Sequence, residues 1–207
     1  MKRFKTTLDD SSAGHSVIPN KHHNQNAIKR SLLNDLIKVK FNFDEKLLFR
    51  FEEQNFQLSN TKYAFINLEL KLKDQKNAKQ ISETTVNLII DQLNEKGIQY
   101  LFNGYMDEHL FLISSADLTL STISRMASAV QNGVVQYFDI AINLIYTNAF
   151  TEADALLSHY ALLMEKSEML FYIPSGESLI ENTDHIRVLS GNTHELKLKT
   201  TAQFVDN

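Results

Sequence analysis

The 207-residue chain contains no cysteine, no tryptophan and two prolines, and its six glycines are scattered singly. Without cysteine there is no disulfide and no thiolate metal site, which fits a reducing compartment. Without a glycine cluster there is no phosphate-cradling loop. Neither His-x-x-x-His nor His-Glu-x-x-His occurs, so nothing in the sequence supports a zincin-type metal site. The Gly-x-Ser-x-Gly elbow is also missing, and "IPSGES" at 173–178 reads as a tight turn. No apolar run approaches the roughly 18 residues needed to cross a bilayer. Lys2, Arg3 and Lys5 are followed by no apolar segment of the signal-peptide kind. The net charge of −4 gives no whole-chain footprint for nucleic acid. These absences point to a cytoplasmic chain with no direct membrane insertion, or to the cytoplasmic part of a membrane-anchored protein.

What is present is a hydrophobic content of 43%, enough to bury a real core in one domain with extensions. Residues 1–26 are polar and mixed and read as a flexible tail or linker; His15, His22 and His23 lie there as solvated side chains. Residues 27–60 read as two short leading helices. Ile28, Leu32, Leu36 and Ile37 form a stripe in the first, and Asp44 is the N-cap of the second, with Leu47, Leu48 and Phe51 on one side. Phe41, Phe43, Phe49, Phe51 and Phe56 crowd this region. Such an apolar excess docks on the rest of the domain or forms a dimer surface.

From residue 61 the pattern changes. "KYAFINLEL" (62–70) is a strand, and the next helix is opened by Ser82 and stopped by Gly97. "IQYLF" and "EHLFLIS" are strands on either side of Asn103-Gly104, a dipeptide that favours a hairpin turn because both residues accept φ > 0. A helix over 118–137, with Asp117 as candidate N-cap, precedes the strand "DIAINLIYT" (139–147). A long helix opened by Thr151 then runs to Pro174, and "SLIE" is a short added strand. His159 in that helix shares no face with Asp154 and Glu165 and reads as a packed helix histidine. The order β-α-β-β-α-β-α over 61–182 implies an α+β domain of ferredoxin-like or nucleotidyl-cyclase-like palm type. Residues 183–207 read as a polar C-terminal linker with a weak apolar alternation at 186–198.

The residues on the hairpin carry a resemblance. "YMDEHLFLI" resembles the region of GGDEF domains, the makers of cyclic di-GMP, where the signature Gly-Gly-Asp-Glu-Phe occupies a hairpin after the first helix of the palm. Asp107 and Glu108 match its acidic pair. Tyr105 and Met106 stand where the two glycines would be, and His109 where the Phe would be. Glu69, in "INLEL", falls near the family's metal-binding Asp on the first strand. The family's Phe-Lys and Asn-Asp elements and its Arg-x-x-Asp inhibitory site are missing. Phosphoryl transfer needs backbone close to the phosphates, and Tyr105 and Met106 would crowd that approach.

Over about 27–182 the chain resembles the degenerate GGDEF-like central domains of AraC-type transcription regulators from Gram-positive bacteria. "KRSLLNDLIKVKF", "YAFINLELK" and "IAINLIYTNAFTEADALLSHYALLMEKSEMLFYIPSGESLIE" carry that likeness in order, spacing and residue character. The resemblance implies a non-catalytic signal-relay domain, a homodimer with no cofactor. It would link a sensor to a helix-turn-helix pair elsewhere in a longer polypeptide, and would touch DNA only through that further C-terminal domain. Glu69, Asp107 and Glu108 would then be the remnant of a metal or nucleotide site. The alternatives are a nucleotide-binding module that kept the cleft and lost the chemistry, and a stand-alone interaction protein.

Overall fold

The computed structural model describes residues 21–70, 77–105, 108–171, 178–181, 187–189 and 195–197. The fold is α+β. Helices α1 (Lys21–Lys38) and α2 (Glu45–Glu53) lead into β1 (Lys62–Glu69), α3 (Ala78–Glu95), β2 (Gln99–Tyr105), β3 (Glu108–Ser115), α4 (Leu120–Phe138), β4 (Asn143–Thr147) and α5 (Leu156–Ser167). Short strands β5 (Ser178–Glu181), β6 (Arg187–Leu189) and β7 (Glu195–Lys197) follow. The sheet order is β2-β3-β1-β4-β5-β6-β7. Each neighbouring pair among the first four strands is antiparallel, and β5 joins β4 in parallel after the α5 crossover. The helix α1 thus begins inside the segment assigned to the tail. The strands β6 and β7 lie inside the segment assigned to the polar linker and extend the sheet.

The strand β1 is central, and its residues from Tyr63 to Leu68 are buried on both faces of the sheet. Period-2 alternation sends Ala64, Ile66 and Leu68 to one face. There they meet Ile89 and Leu93 of α3, and Ile123, Met126 and Val130 of α4. Tyr63 and Phe65 point to the other face, into a cluster with Leu32, Leu33 and Leu36 of α1, Phe51 of α2, and Leu156 and Leu163 of α5. Each such side chain stabilises the fold by about 1.5–3 kcal/mol on burial. The leading helices therefore complete the core on the second face. Phe41, Phe51 and Phe56 are buried there and Phe43 packs against them, while Phe49 is 61% exposed. In the first helix the expected stripe is shifted: Leu33 is buried and Ile28 is exposed.

Local signals explain most boundaries. Asp44 caps α2, its Oδ1 accepting from Leu47 N–H at 2.7 Å. Gly97 (φ 63°) ends α3 in a paired motif: Ile98 N–H donates to Leu93 carbonyl at 2.9 Å and Gly97 N–H to Asn94 carbonyl at 3.1 Å. The same motif closes α2 at Asn55 (φ 53°), where Phe56 N–H reaches Phe51 carbonyl and the two rings pack at 5.6 Å. It also closes α1 at Lys40 (φ 53°), where Phe41 N–H reaches Leu36 carbonyl at 2.8 Å.

Four expectations are corrected. Asn103 and Gly104 do not form the hairpin turn. They lie inside β2, paired with Leu110 and His109, and pairing continues to Tyr105↔Glu108. The aromatic register Phe102↔Phe111, with the rings stacked at 5.6 Å, overrides the local turn propensity. Ser82 does not open α3, which begins at Ala78. Thr119, not Asp117, caps α4 by accepting from Thr122 N–H at 3.1 Å. Thr151 makes no cap either. Its hydroxyl donates to Glu152 Oε1, and a 3-10 turn at Ala153–Ala155 leads into α5.

Candidate functional site

The resemblance draws attention to the end of the sheet where β1 finishes and β3 begins. Glu69 and Glu108 are direct cross-strand partners, and Glu69 is also the partner of Asn143 on β4. Three side chains from three strands therefore form one row. The row faces α5, because Asn67, two residues earlier on β1, donates to Ser167 Oγ at 2.8 Å, and Ser167 in turn donates to Leu163 carbonyl. Glu108 is exposed and Glu69 half-buried, whereas Asn143 and Asn67 are buried. Asp107 lies outside the described residues, so the structure brings together two of the three expected acidic groups.

Two carboxylates directly opposite each other repel, and a cation or a hydrogen-bond donor between them relieves that repulsion. Two carboxylates hold Mg²⁺ only together with waters or substrate phosphates that complete its six oxygen ligands. Among the described residues no group of three or more His, Asp or Glu could hold a metal ion. The nearest reporter of the local charge is Tyr160 on α5. Burial first, and the Glu108 carboxylate second, push its phenol above the usual tyrosine range.

Across the sheet, the hairpin carries a different constellation. The side chain of His109 is buried on the α3 side, with Nε2 hydrogen-bonded to Ser82 Oγ at 2.7 Å. Its imidazole lies over Gly104, the cross-strand partner, so closely that a β-carbon at 104 would overlap Nδ1. Gly104 is therefore required by a side chain from the next strand. Its own backbone is not in the left-handed region. Elsewhere on that face, the apolar crevice between α3 and α4 is lined by Ile66, Ile89, Leu93, Met126 and Val130 and holds space for about one water.

A polar latch fixes the segment between α2 and β1. Thr61 Oγ1 and Ser114 Oγ hydrogen-bond at 2.8 Å, Gln57 N–H donates to Gln99 Oε1 at 2.8 Å, and the Tyr63 hydroxyl donates to Leu58 carbonyl at 2.6 Å. His159 stacks on Phe150 with ring centroids 3.9 Å apart, in keeping with a packed helix histidine. Sequence reasoning missed Asn67 and Asn143 and gave Ser82 and Gly104 local roles, a helix start and a turn, in place of their contacts with His109. The signal for the two asparagines was there: each interrupts an apolar strand at an "INL" triplet. No helix among the described residues is long and apolar enough to cross a membrane. No protein-family model matches this chain, and no curated protein matches it.

Proposed function

We propose that the chain is a non-catalytic regulatory domain that relays conformational signals, built on a degenerate cyclase-like palm of the kind found in AraC-type regulators. The observation that carries this reading is the shared core of the leading helices and the sheet. Leu32, Leu33, Leu36 and Phe51 belong to the same cluster as Tyr63, Phe65 and Leu112. A displacement of α1 or α2 therefore changes the packing of the central strand, and packed interfaces of this kind move between discrete states. The succession β1-α3-β2-β3-α4-β4, with strands ordered β2-β3-β1-β4, supports the palm assignment. At the hairpin, the sequence has Tyr105 and Met106 at the positions where a cyclase has glycines against phosphate, and a buried histidine, His109, where it has Phe.

The test is incubation of the purified chain with GTP and Mg²⁺ or Mn²⁺, followed by nucleotide chromatography. No cyclic dinucleotide is expected. Metal-dependent formation of one, abolished by Asp107→Ala, would overturn the reading. A second reading, a nucleotide-binding module, is favoured by one observation, the pairing of Glu69 with Glu108 across β1 and β3. A rise in melting temperature with a purine nucleotide and Mg²⁺, lost in Glu69→Gln, would support it. The absence of any rise across a nucleotide panel would remove it.

A further inference from the structure

The free edge of the sheet at β2 is occupied by α1. Helix α1 contacts residues from both faces of that strand. Lys29 Nζ sits 3.5 Å from the centroid of the Tyr100 ring, and the Arg30 guanidinium lies 5.2 Å from that of Phe102. Tyr100 and Phe102 belong to the α3 and α4 face. Leu32, Leu33 and Leu36 of the same helix enter the opposite cluster, together with Leu101. Alternate residues of one strand point to opposite faces, so a helix that reaches both must run along the strand's open side. An uncovered edge offers a row of unpaired N–H and C=O groups to any incoming strand, and a covering helix blocks it.

The two halves of this cover are held very differently. The C-terminal half is anchored by three fully buried leucines and by Asp35, whose carboxylate meets Arg50 of α2 at 2.7 Å. From Gln25 to Arg30 no side chain is fully buried, and Ile28 is exposed. That half is held by the two cations over aromatic rings and by a long 3.4 Å hydrogen bond from the Tyr100 hydroxyl to Asn26. Burial beside Tyr100 lowers the Lys29 pKa, so the ammonium sits there at some desolvation cost. Segments with few buried apolar contacts open locally at far less free energy than the core.

The geometry points to the N-terminal half of α1 as a displaceable strap over the β2 edge. It opens without unfolding the domain and closes on the Tyr100 and Phe102 rings. The inference does not depend on the relay reading, because it concerns only the sheet edge.

Amide hydrogen exchange of the full chain, native and Lys29→Ala/Arg30→Ala, tests it. In the native chain, the outward-facing amides of β2 are expected to exchange together with those of residues 25–30, faster than those of β1. The double substitution removes both ring contacts and is expected to speed exchange in these two segments about tenfold, while β1, β3 and β4 keep their protection. The strap is refuted if β2 exchanges only with β1 at the global rate, or if the double substitution speeds α1 and leaves β2 unchanged. Were the double variant less stable overall, Arg30→Ala alone gives the same comparison. Joint acceleration of 25–30 and β2 supports the strap, and acceleration of all strands alike overturns it.

Discussion

Gly104→Ala separates two explanations of a hairpin glycine. In a turn, glycine is kept for its positive φ, and alanine there costs backbone strain whatever faces it. Here Gly104 is inside β2, and the obstacle is the imidazole of His109 on the neighbouring strand. A methyl group at 104 forces that ring away from Ser82, to which it hydrogen-bonds at 2.7 Å. Overpacking of a buried site costs about 1–3 kcal/mol. Loss of a buried polar contact adds about 1–3 kcal/mol. The sum is a destabilisation of about 2–6 kcal/mol, a fall in melting temperature of about 4–24 °C at this chain length. His109→Ala alone is expected to cost about 2–4 kcal/mol through the lost packing. The double variant is the decisive species. With the ring gone, the three atoms nearest a β-carbon at 104 are removed, and alanine reduces the entropy of the unfolded chain, so its added cost falls below about 0.5 kcal/mol. Urea denaturation followed by far-UV circular dichroism yields all four stabilities, provided the m-values agree. The cycle should show a coupling of about 2 kcal/mol or more. An equal cost of Gly104→Ala in both backgrounds would refute the argument and return the glycine to a backbone role.

Two further outcomes follow from local geometry and burial. Lys40→Gly relieves a left-handed residue that has a β-carbon (φ 53°) and is expected to stabilise the chain by about 1 kcal/mol, read as a rise of about 2–4 °C in melting temperature. Burial raises the phenol pKa of Tyr63, Tyr100, Tyr146 and Tyr160. A raised folded pKa contributes stability that is fully present below the ordinary tyrosine value of 10.0 and is lost as pH climbs through the folded value. Ultraviolet titration of the phenolates should therefore show these four ionising late. Denaturation midpoints should fall above pH 10, and a midpoint rising through that range would contradict the burial seen here.

The elements whose signals are local were legible in the sequence. Asp44 before an apolar run and Gly97 after one act within a single turn of helix, and both do what their residue types predict. Where tertiary contacts compete, local signals lost. Asn103-Gly104 is a strong turn dipeptide, yet Tyr100, Leu101 and Phe102 pair with Ile113, Leu112 and Phe111, and that alignment carries the strands past it. Ser82 is a good cap type, but its hydroxyl is taken by a histidine 27 residues away, a partner that no helical window contains. At the candidate site, the sequence named Glu69 and Glu108, but their direct opposition entered only with the β1–β3 register, and Asn143 only with the β1–β4 register. No periodicity within either strand encodes that register.

The central position of β1 also sets the order in which the chain can be built. Ile66 pairs with Tyr146, about 80 residues later. At ribosomal rates of about 5–20 residues per second, the strand emerges some 4–16 s before its β4 neighbour exists. During that interval a strand with an unbroken apolar run, Tyr63 to Ile66, has one edge waiting. The leading helices and β3 are already synthesised well before β4. They can cover one face and the other edge of β1 before β4 arrives.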